Sequence, residues 1–376
     1  MEHLIHFANN IVSLFLAPGM MLALGIAVWG VAYTRSESLA CYARARRIVE
    51  ITFVIYSLAL LAEYFVKSSI AADFTTRLVI VAISMSQAYL FTLTLVTLID
   101  VEFLSVRRLR AEAVLPLLAT VAAFTAGTLC PVAWHISIIV AYQVVYALLL
   151  LHYIHLFRRH YAYYEQRMDN YFSDEEQHRL HWVRNSFRWS LGIGVAALVY
   201  SILPCEATSL PFMLAAVSYY TFYGIHFINY AHIFPYVASA LVEPVESTPQ
   251  EQTTVPTPEE QELLAAVDRL METTSLYTDA GLTVAQVAVA LGRPHRTLSA
   301  AISHGRQTTF KAYVNGYRVN KACQLIGEGW LAHHTIDALG AECGFSNRVH
   351  FYRIFKQAMG VSPSEYASDG NNTDKM

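Results

Sequence analysis

The sequence predicts an all-α protein: a bundle of seven transmembrane helices, then a linker and a domain built from two helix-turn-helix units. Three observations predict it. Of 376 residues, 55% are hydrophobic and only 15% charged, where a soluble domain holds about 25% charged residues, so lipid is the expected solvent for part of the chain. Seven apolar runs approach 20 residues, the length that crosses roughly 30 Å of hydrocarbon. After Phe234 the apolar runs stop, and short helical patterns separated by glycines follow.

The expected spans are 11–33, 48–66, 78–99, 114–130, 134–157, 186–203 and 212–234. Six or eight remain open, because 48–66 is short and carries Glu50 and Glu63, 114–130 is short with Pro116, and the gap from 130 to 134 is tight. Seven spans put the two termini on opposite sides. Lys and Arg in short loops stay cytoplasmic. One set of loops holds Arg35, Arg44, Arg46, Arg47, Arg107, Arg108, Arg110, Arg158, Arg159, Arg167, Arg179 and Arg184, against Lys67 and Arg77 in the other. This asymmetry places the amino terminus outside and the carboxyl terminus in the cytoplasm. The opening MEHLIHFANN has no Lys or Arg and precedes a run too long for a signal peptide, so the first span is expected to stay in the chain.

Polar groups within spans are costly in lipid and should face the bundle interior or lie near its ends. They include Glu50, Glu63, Gln87, His135, Gln143 and His226. In the last span Tyr219, Tyr223, His226 and Tyr230 share one face. That face either lines a ligand pocket, with Glu63 and His135 as further candidates, or forms a tyrosine-rich seam between helices, the more ordinary outcome. Cys41, Cys323 and Cys343 fall on the reducing side. Cys130 and Cys205 fall in external loops and are the one pair that could form a disulfide; two unpaired small residues near helix ends is the plainer alternative. His152 and His155 lack a supporting Cys/His/Asp cluster, so neither metal nor cofactor is expected. Gly192-Ile193-Gly194 follows no strand and reads as a close helix contact. No nucleophile elbow, Walker motif or kinase signature occurs, which disfavours an enzyme.

Residues 1–237 thus form a sensor-like membrane domain, and 238–257, where the run EPVESTPQEQTTVPTPEE begins at Glu243, reads as a flexible linker unable to bury enough apolar surface to order. Charge is divided: 243–279 holds nine acidic residues and only Arg269, whereas 281–367 holds nine Lys/Arg against four Asp/Glu. Thr257-Pro258-Glu259-Glu260 supplies an N-cap, a proline at N1 and a capping-box glutamate, so an amphipathic helix should fill 258–277. Its apolar stripe, Leu263, Leu264, Val267, Leu270 and Met271, could dock on the following domain or on a second copy.

Two helix-turn-helix units are expected over 278–368, with a disordered tail at 369–376. In the first, Thr283 caps VAQVAVAL, Gly292 turns the chain and Pro294 leads HRTLSAAI. In the second, Thr335 caps IDALGAEC, Gly344 turns the chain and Ser346 caps NRVHFYRIFKQAM. Between them FKAYVNGYRVNKACQLI has the spacing of one long helix that would hold two recognition helices a fixed distance apart.

The run GFSNRVHFYRIFKQAMGVSPSEY, with Arg318 and Ala322 upstream, resembles the AraC/XylS-type DNA-binding domain over residues 281–367. By that resemblance Asn347, Arg348 and Val349 face base edges, Arg348 being able to bond a guanine bidentately. Arg353 and Lys356 suit phosphate, and His350 touches the backbone or merely caps solvent. The first unit departs from the family at Ser299-Ala300-Ala301. There Arg296 and, more weakly, His295 and Ser299 are the candidate base readers, unless that unit only positions the domain. The resemblance implies a one-component transcription regulator in the inner membrane of a bacterium. Its expected partners are double-stranded DNA, the bilayer, a second copy, an unknown small-molecule or membrane signal, and RNA polymerase if it activates. A transporter or channel carrying a degenerate helix-turn-helix as a protein-binding module is the alternative.

Overall fold

A computed structural model of the chain describes residues 2–30, 40–69, 73–100, 103, 105–174, 181–202, 206–241 and 257–373. Among these residues every regular element is a helix, and one isolated antiparallel bridge joins Phe172 to Thr283. The chain divides into two compact units. One is Met1–Tyr164 with Arg179–Glu243, and the other is Glu165–His178 with Pro244–Met376.

In the first unit α1 (Glu2–Ile11) passes through a π-helical turn, Val12–Leu16, into α2 (Ala17–Gly30). Then come α3 (Ala40–Ser69), α4 (Asp73–Ile99), α5 (Val106–Leu129), α6 (His135–Tyr171), α7 (His181–Ile202) and α8 (Glu206–Leu241). Ser105 caps α5, and the helix continues through Pro116. Helix α6 runs fourteen residues past the expected end of its span, because HYAYYEQRMDNY loses hydropathy without containing a glycine or proline to stop a helix. Similarly α8 continues to Leu241, into the expected linker, whose residues 242–256 lie outside the described ones.

Five helical stretches are long and apolar enough to cross a membrane: His6–Gly30, Tyr42–Phe65, Phe74–Ile99, Arg107–Leu129 and Val132–Tyr171. They coincide with the first five expected spans. The sixth and seventh fall on helices outside that set: α7 opens with Arg184, Asn185 and Arg188, and α8 carries Tyr219, Tyr220, Tyr223 and His226 at its centre.

Helices α2, α3, α4, α7 and α8 each pack on the next and close a ring. Aromatic side chains fill it. Phe91 meets Tyr223 with ring centroids 5.0 Å apart, Tyr56 meets Tyr220 at 5.1 Å and Trp182 meets Tyr230 at 5.5 Å, distances that suit edge and offset packing. Helix α6 joins α7 through Tyr146, whose hydroxyl donates to the Gly194 carbonyl at 3.1 Å, and through Gln143, which donates to Ser201 Oγ at 3.0 Å. The outward faces are apolar. In the Arg107–Leu129 stretch only Pro116 and Ala123 are buried, and Leu117 and Ile136 are 63% and 77% exposed. So wide an apolar surface marks contact with lipid or another protein.

The expected ligand-facing residues separate here. Tyr219, Tyr223 and Tyr230 are buried in the aromatic ring, which is the seam rather than a pocket. His226 Nδ1 lies 2.9 Å from the Phe222 carbonyl of its own helix, and His135 stacks on Phe74 with centroids 3.9 Å apart. Glu63 lines a cavity with Gln87, Tyr56, Tyr220 and Met213; it encloses ≈ 20 Å³, room for about one water molecule. Cys130 is free and exposed, and its expected partner Cys205 lies outside the described residues. His152 Nε2 lies 3.0 Å from Glu112 Oε2, an ordinary polar pair. Among the described residues no group of three His, Cys, Asp or Glu is placed to hold a metal.

The second unit contains α9 (Pro258–Thr274), α10 (Val284–Leu291), α11 (His295–Arg306), α12 (Phe310–Gly327), α13 (Ile336–Glu342), α14 (Arg348–Met359) and α15 (Pro363–Thr373). Local chemistry explains their bounds. Thr257 with Glu260 and Thr283 with Gln286 form reciprocal capping boxes, and Gly292 ends α10 in the left-handed region at φ +63. Ser362 and Glu365 exchange a similar pair of bonds, 2.8 and 3.3 Å, so α15 runs into the expected tail as far as Thr373.

Helix α9 docks in cis. Leu263, Leu264, Val267 and Met271 are buried in one cluster with Leu282, Val287, Leu298, Ile302, Phe310 and Val314. Asp268 fixes the register by accepting from Tyr313, Tyr317 and Arg306. A second cluster of Val319, Ala322, Leu339, Cys343, Phe345, Phe351 and Phe355 lies toward the other end of α12. Helix α12 is 18 residues long, about 27 Å at 1.5 Å per residue, and contributes to both cores.

Candidate nucleic-acid interface

The second helix pair, α13 and α14, owes its turn to Gly344. Its φ is +91, and a Cβ there would lie 2.7 Å from backbone atoms of Tyr277 and Thr278. Only glycine fits. Asn347, not Ser346, is the N-cap of α14: its Oδ1 accepts from the His350 amide at 2.8 Å. Asn347 is exposed, so its Nδ2 group still faces outward.

From that cap α14 presents one exposed face made of Arg348, Val349, Arg353 and Lys356, with Tyr352 half-buried beside them. Its other face, Phe351 and Phe355, is in the core. Val349 is 77% exposed, and an apolar side chain offered to solvent at the start of a helix suits a thymine methyl. Arg348 lies over the Tyr352 ring at 5.2 Å and pairs bidentately with Asp337 of α13, Nε to Oδ1 and a terminal nitrogen to Oδ2, both at 3.1 Å. Both side chains are more than half exposed, and such a pair contributes about 0–1 kcal/mol. A guanine edge can therefore compete with Asp337 for the same bidentate geometry.

His350 departs from its expected place at the DNA backbone. It is 1% exposed, packed edge-on to Phe345 at 5.6 Å, and its Nδ1 lies 2.8 Å from Asp174 Oδ1. Position 350 is one residue before core Phe351, so the helix turns it inward.

In the first pair, α10 and α11, the exposed face of α11 carries Arg296, Thr297 and Ala300, while Ser299 is half-buried and Ala301 belongs to the core. His295 is half-buried and meets the Tyr171 ring edge at 6.0 Å. This face offers one cation, a hydroxyl and a methyl, fewer groups for base edges than α14 offers. Thr297 was not among the sequence candidates.

Arg318 of α12 lies between the two pairs and is fully buried. Its Nε donates to the Tyr277 carbonyl at 2.7 Å. One terminal nitrogen donates to the Ser173 carbonyl at 3.0 Å and to Asn315 Oδ1 at 3.3 Å, and the other to Ser173 Oγ at 2.9 Å and the Asp279 carbonyl at 2.8 Å. Burial pulls its pKa down to about 10, opposed by the charges of Asp174 and Asp279, so it stays protonated at neutral pH. Burial pushes the Asp174 carboxyl up, but hydrogen bonds from His350 and Ser346, with the charges of His350 and Arg318, hold it below the usual range. Sequence reasoning placed Arg318 in the connecting helix and did not find Ser173, Asp174 or Asp337.

Residues 287–369 match a family described as a helix-turn-helix domain, of the AraC type, which makes this a carboxyl-terminal DNA-binding segment. No curated protein and no solved structure matches the chain.

Proposed function

We propose that the chain is a membrane-anchored transcription regulator. Both helix pairs of its second unit act as helix-turn-helix units on promoter DNA, and α14 supplies most of the sequence reading. The exposed start of α14, where Arg348 and Val349 stand beyond the Asn347 cap on an AraC-type segment, carries this reading. Arg348 and Val349 present the donor and apolar groups that read base edges in a major groove, and Arg353 and Lys356 follow on the same face to neutralise phosphates. Arg296 plays the smaller part on α11.

Seven spans, the amino terminus outside and the second unit in the cytoplasm of a bacterium, complete the proposal. Five apolar helices and the arginine-rich loops support it. The first unit then senses a signal in or across the membrane and changes the occupancy of DNA. The proposed role is regulatory, not enzymatic. The cavity beside Glu63 has room for about one water, so an organic ligand needs the ring of helices to open first.

Two experiments test the halves separately. Selection of bound sequences from a random DNA pool by the full-length protein in lipid nanodiscs should return a motif; an unenriched pool would contradict the DNA reading. A variant whose only cysteine is Cys130 should be labelled in intact cells by a membrane-impermeant maleimide, and one retaining only Cys323 should not. The reverse pattern would overturn the orientation.

A further inference from the structure

The chain enters the DNA-binding unit twice. Its second entry is the one the sequence displays, through α9. The first is the end of α6, a single helix from His135 to Tyr171 whose last turn is followed at once by Phe172, Ser173 and Asp174 within this unit. Phe172 bridges Thr283, the N-cap of α10, and the Ser173 amide donates to the Leu282 carbonyl at 3.0 Å. Asp169 Oδ1 accepts from Lys311 Nζ of α12 at 3.2 Å. Ser173 gives Arg318 two of its five hydrogen bonds. Asp174 then reaches the start of α14, bonded to His350 and Ser346, the two residues that flank the Asn347 cap at either end of the first turn.

We infer that Ser173 and Asp174 are positioning residues for DNA reading: they hold the start of α14 at a set angle to the α10–α11 pair. This rests on the proposed function and deepens it, since it names residues that set how α14 is presented to DNA. Burial makes the contact specific. Phe172 and Ser173 are at most 2% exposed and Asp174 is 8% exposed, so water does not replace a lost partner. Neither side chain lies on the exposed faces of α11 or α14, so neither is a base or phosphate contact.

The full-length protein in nanodiscs provides the test, with two readouts. Hydrogen exchange of the amides of 347–351 should quicken about tenfold or more in Asp174→Ala, because His350 loses a buried partner, and Asp174→Asn, which keeps an acceptor for Nδ1, should restore most of the protection. The ratio of specific to random-sequence DNA affinity should fall about tenfold in Asp174→Ala, with random-sequence affinity nearly unchanged. His350→Ala should lower the ratio similarly, and the double variant should be no worse than the worse single. Unchanged exchange and ratio in Asp174→Ala overturn the inference. A loss of both affinities alike also overturns it, since the segment would then be structural only. Quickened exchange in a protein whose wild type shows no sequence preference leaves the positioning standing and overturns the DNA reading.

Discussion

The two units solve opposite packing problems with the same helix. In the second, each helix turns a narrow apolar stripe inward, and large exposed apolar side chains are single: Val289 at 81%, Val349 at 77% and Met359 at 38%. In the first, apolar side chains cover the outside, Trp29 at 70%, Leu117 at 63% and Ile136 at 77%, while the interior holds Tyr42, Tyr220, Tyr223 and Tyr230 and polar Ser186, Gln143 and Glu63. The difference teaches what each part needs from its solvent. Among its described residues the second unit buries few charges, and those are partnered: Arg318 through five hydrogen bonds, Asp174 beside His350, and Lys311 on Asp169. The first unit, apolar outside as the proposed lipid setting requires, keeps these hydroxyls in.

That contrast breaks most easily at Arg318. Replacing it with Ala leaves three backbone carbonyls, Ser173 Oγ and Asn315 Oδ1 without this donor, and removing one side of such a site costs about 3–5 kcal/mol. Pulse proteolysis should show the second unit of Arg318→Ala cleaved far more readily, and unchanged cleavage would mean the guanidinium cluster stabilises nothing. Next comes a matched pair of surface changes. Leu117→Arg on α5 should lower membrane insertion by about 2.5–3.5 kcal/mol on a glycosylation-reporter assay, whereas Val289→Arg on α10 should move the unfolding free energy by no more than about 0.5 kcal/mol. Equal effects at the two exposed sites would remove the reason for assigning them different solvents. A smaller effect belongs to Thr283→Ala, which breaks the α10 capping box and should cost about 1 kcal/mol in urea unfolding of the second unit. Thiol chemistry sharpens the same contrast without mutation. Burial pushes the Cys343 thiol up to about 12, so at pH 8 it should resist iodoacetamide until the unit unfolds, while exposed Cys130 reacts at once.

The second unit was legible in sequence nearly helix by helix because its signals are local. Thr257-Pro258-x-Glu260, Thr283 with Gln286, Gly292, Thr335 and Gly344 each set an end within one turn of themselves. One local error, Ser346 for Asn347 as cap, came from choosing between two adjacent residues with equal capping ability. His350 and Asp174 were illegible for the opposite reason. They lie far apart along the chain and no periodicity joins them; the only cue was a charge, Arg318, at the centre of the buried stripe Val314, Arg318 and Ala322, which needs partners from elsewhere. In the first unit hydropathy located five apolar helices, but it marks spans and not helix ends: α6 continues to Tyr171, since a helix stops at a breaker and a span stops where apolar residues do. The Tyr219, Tyr223 and Tyr230 face could have lined a pocket or a seam, and only the packing of Phe53, Phe91 and Trp182 around it decides for the seam.

The reading of DNA by α14 is best tested by competition binding of the full-length protein to its selected sequence and to random duplex, in wild type, Arg348→Ala and Arg353→Ala. The account predicts that Arg348→Ala loses about 1–3 kcal/mol on the selected sequence and little on random duplex. Arg353→Ala should weaken both alike and lower the salt dependence by about one counterion. Equal losses on both sequences for Arg348→Ala, or none, would contradict it.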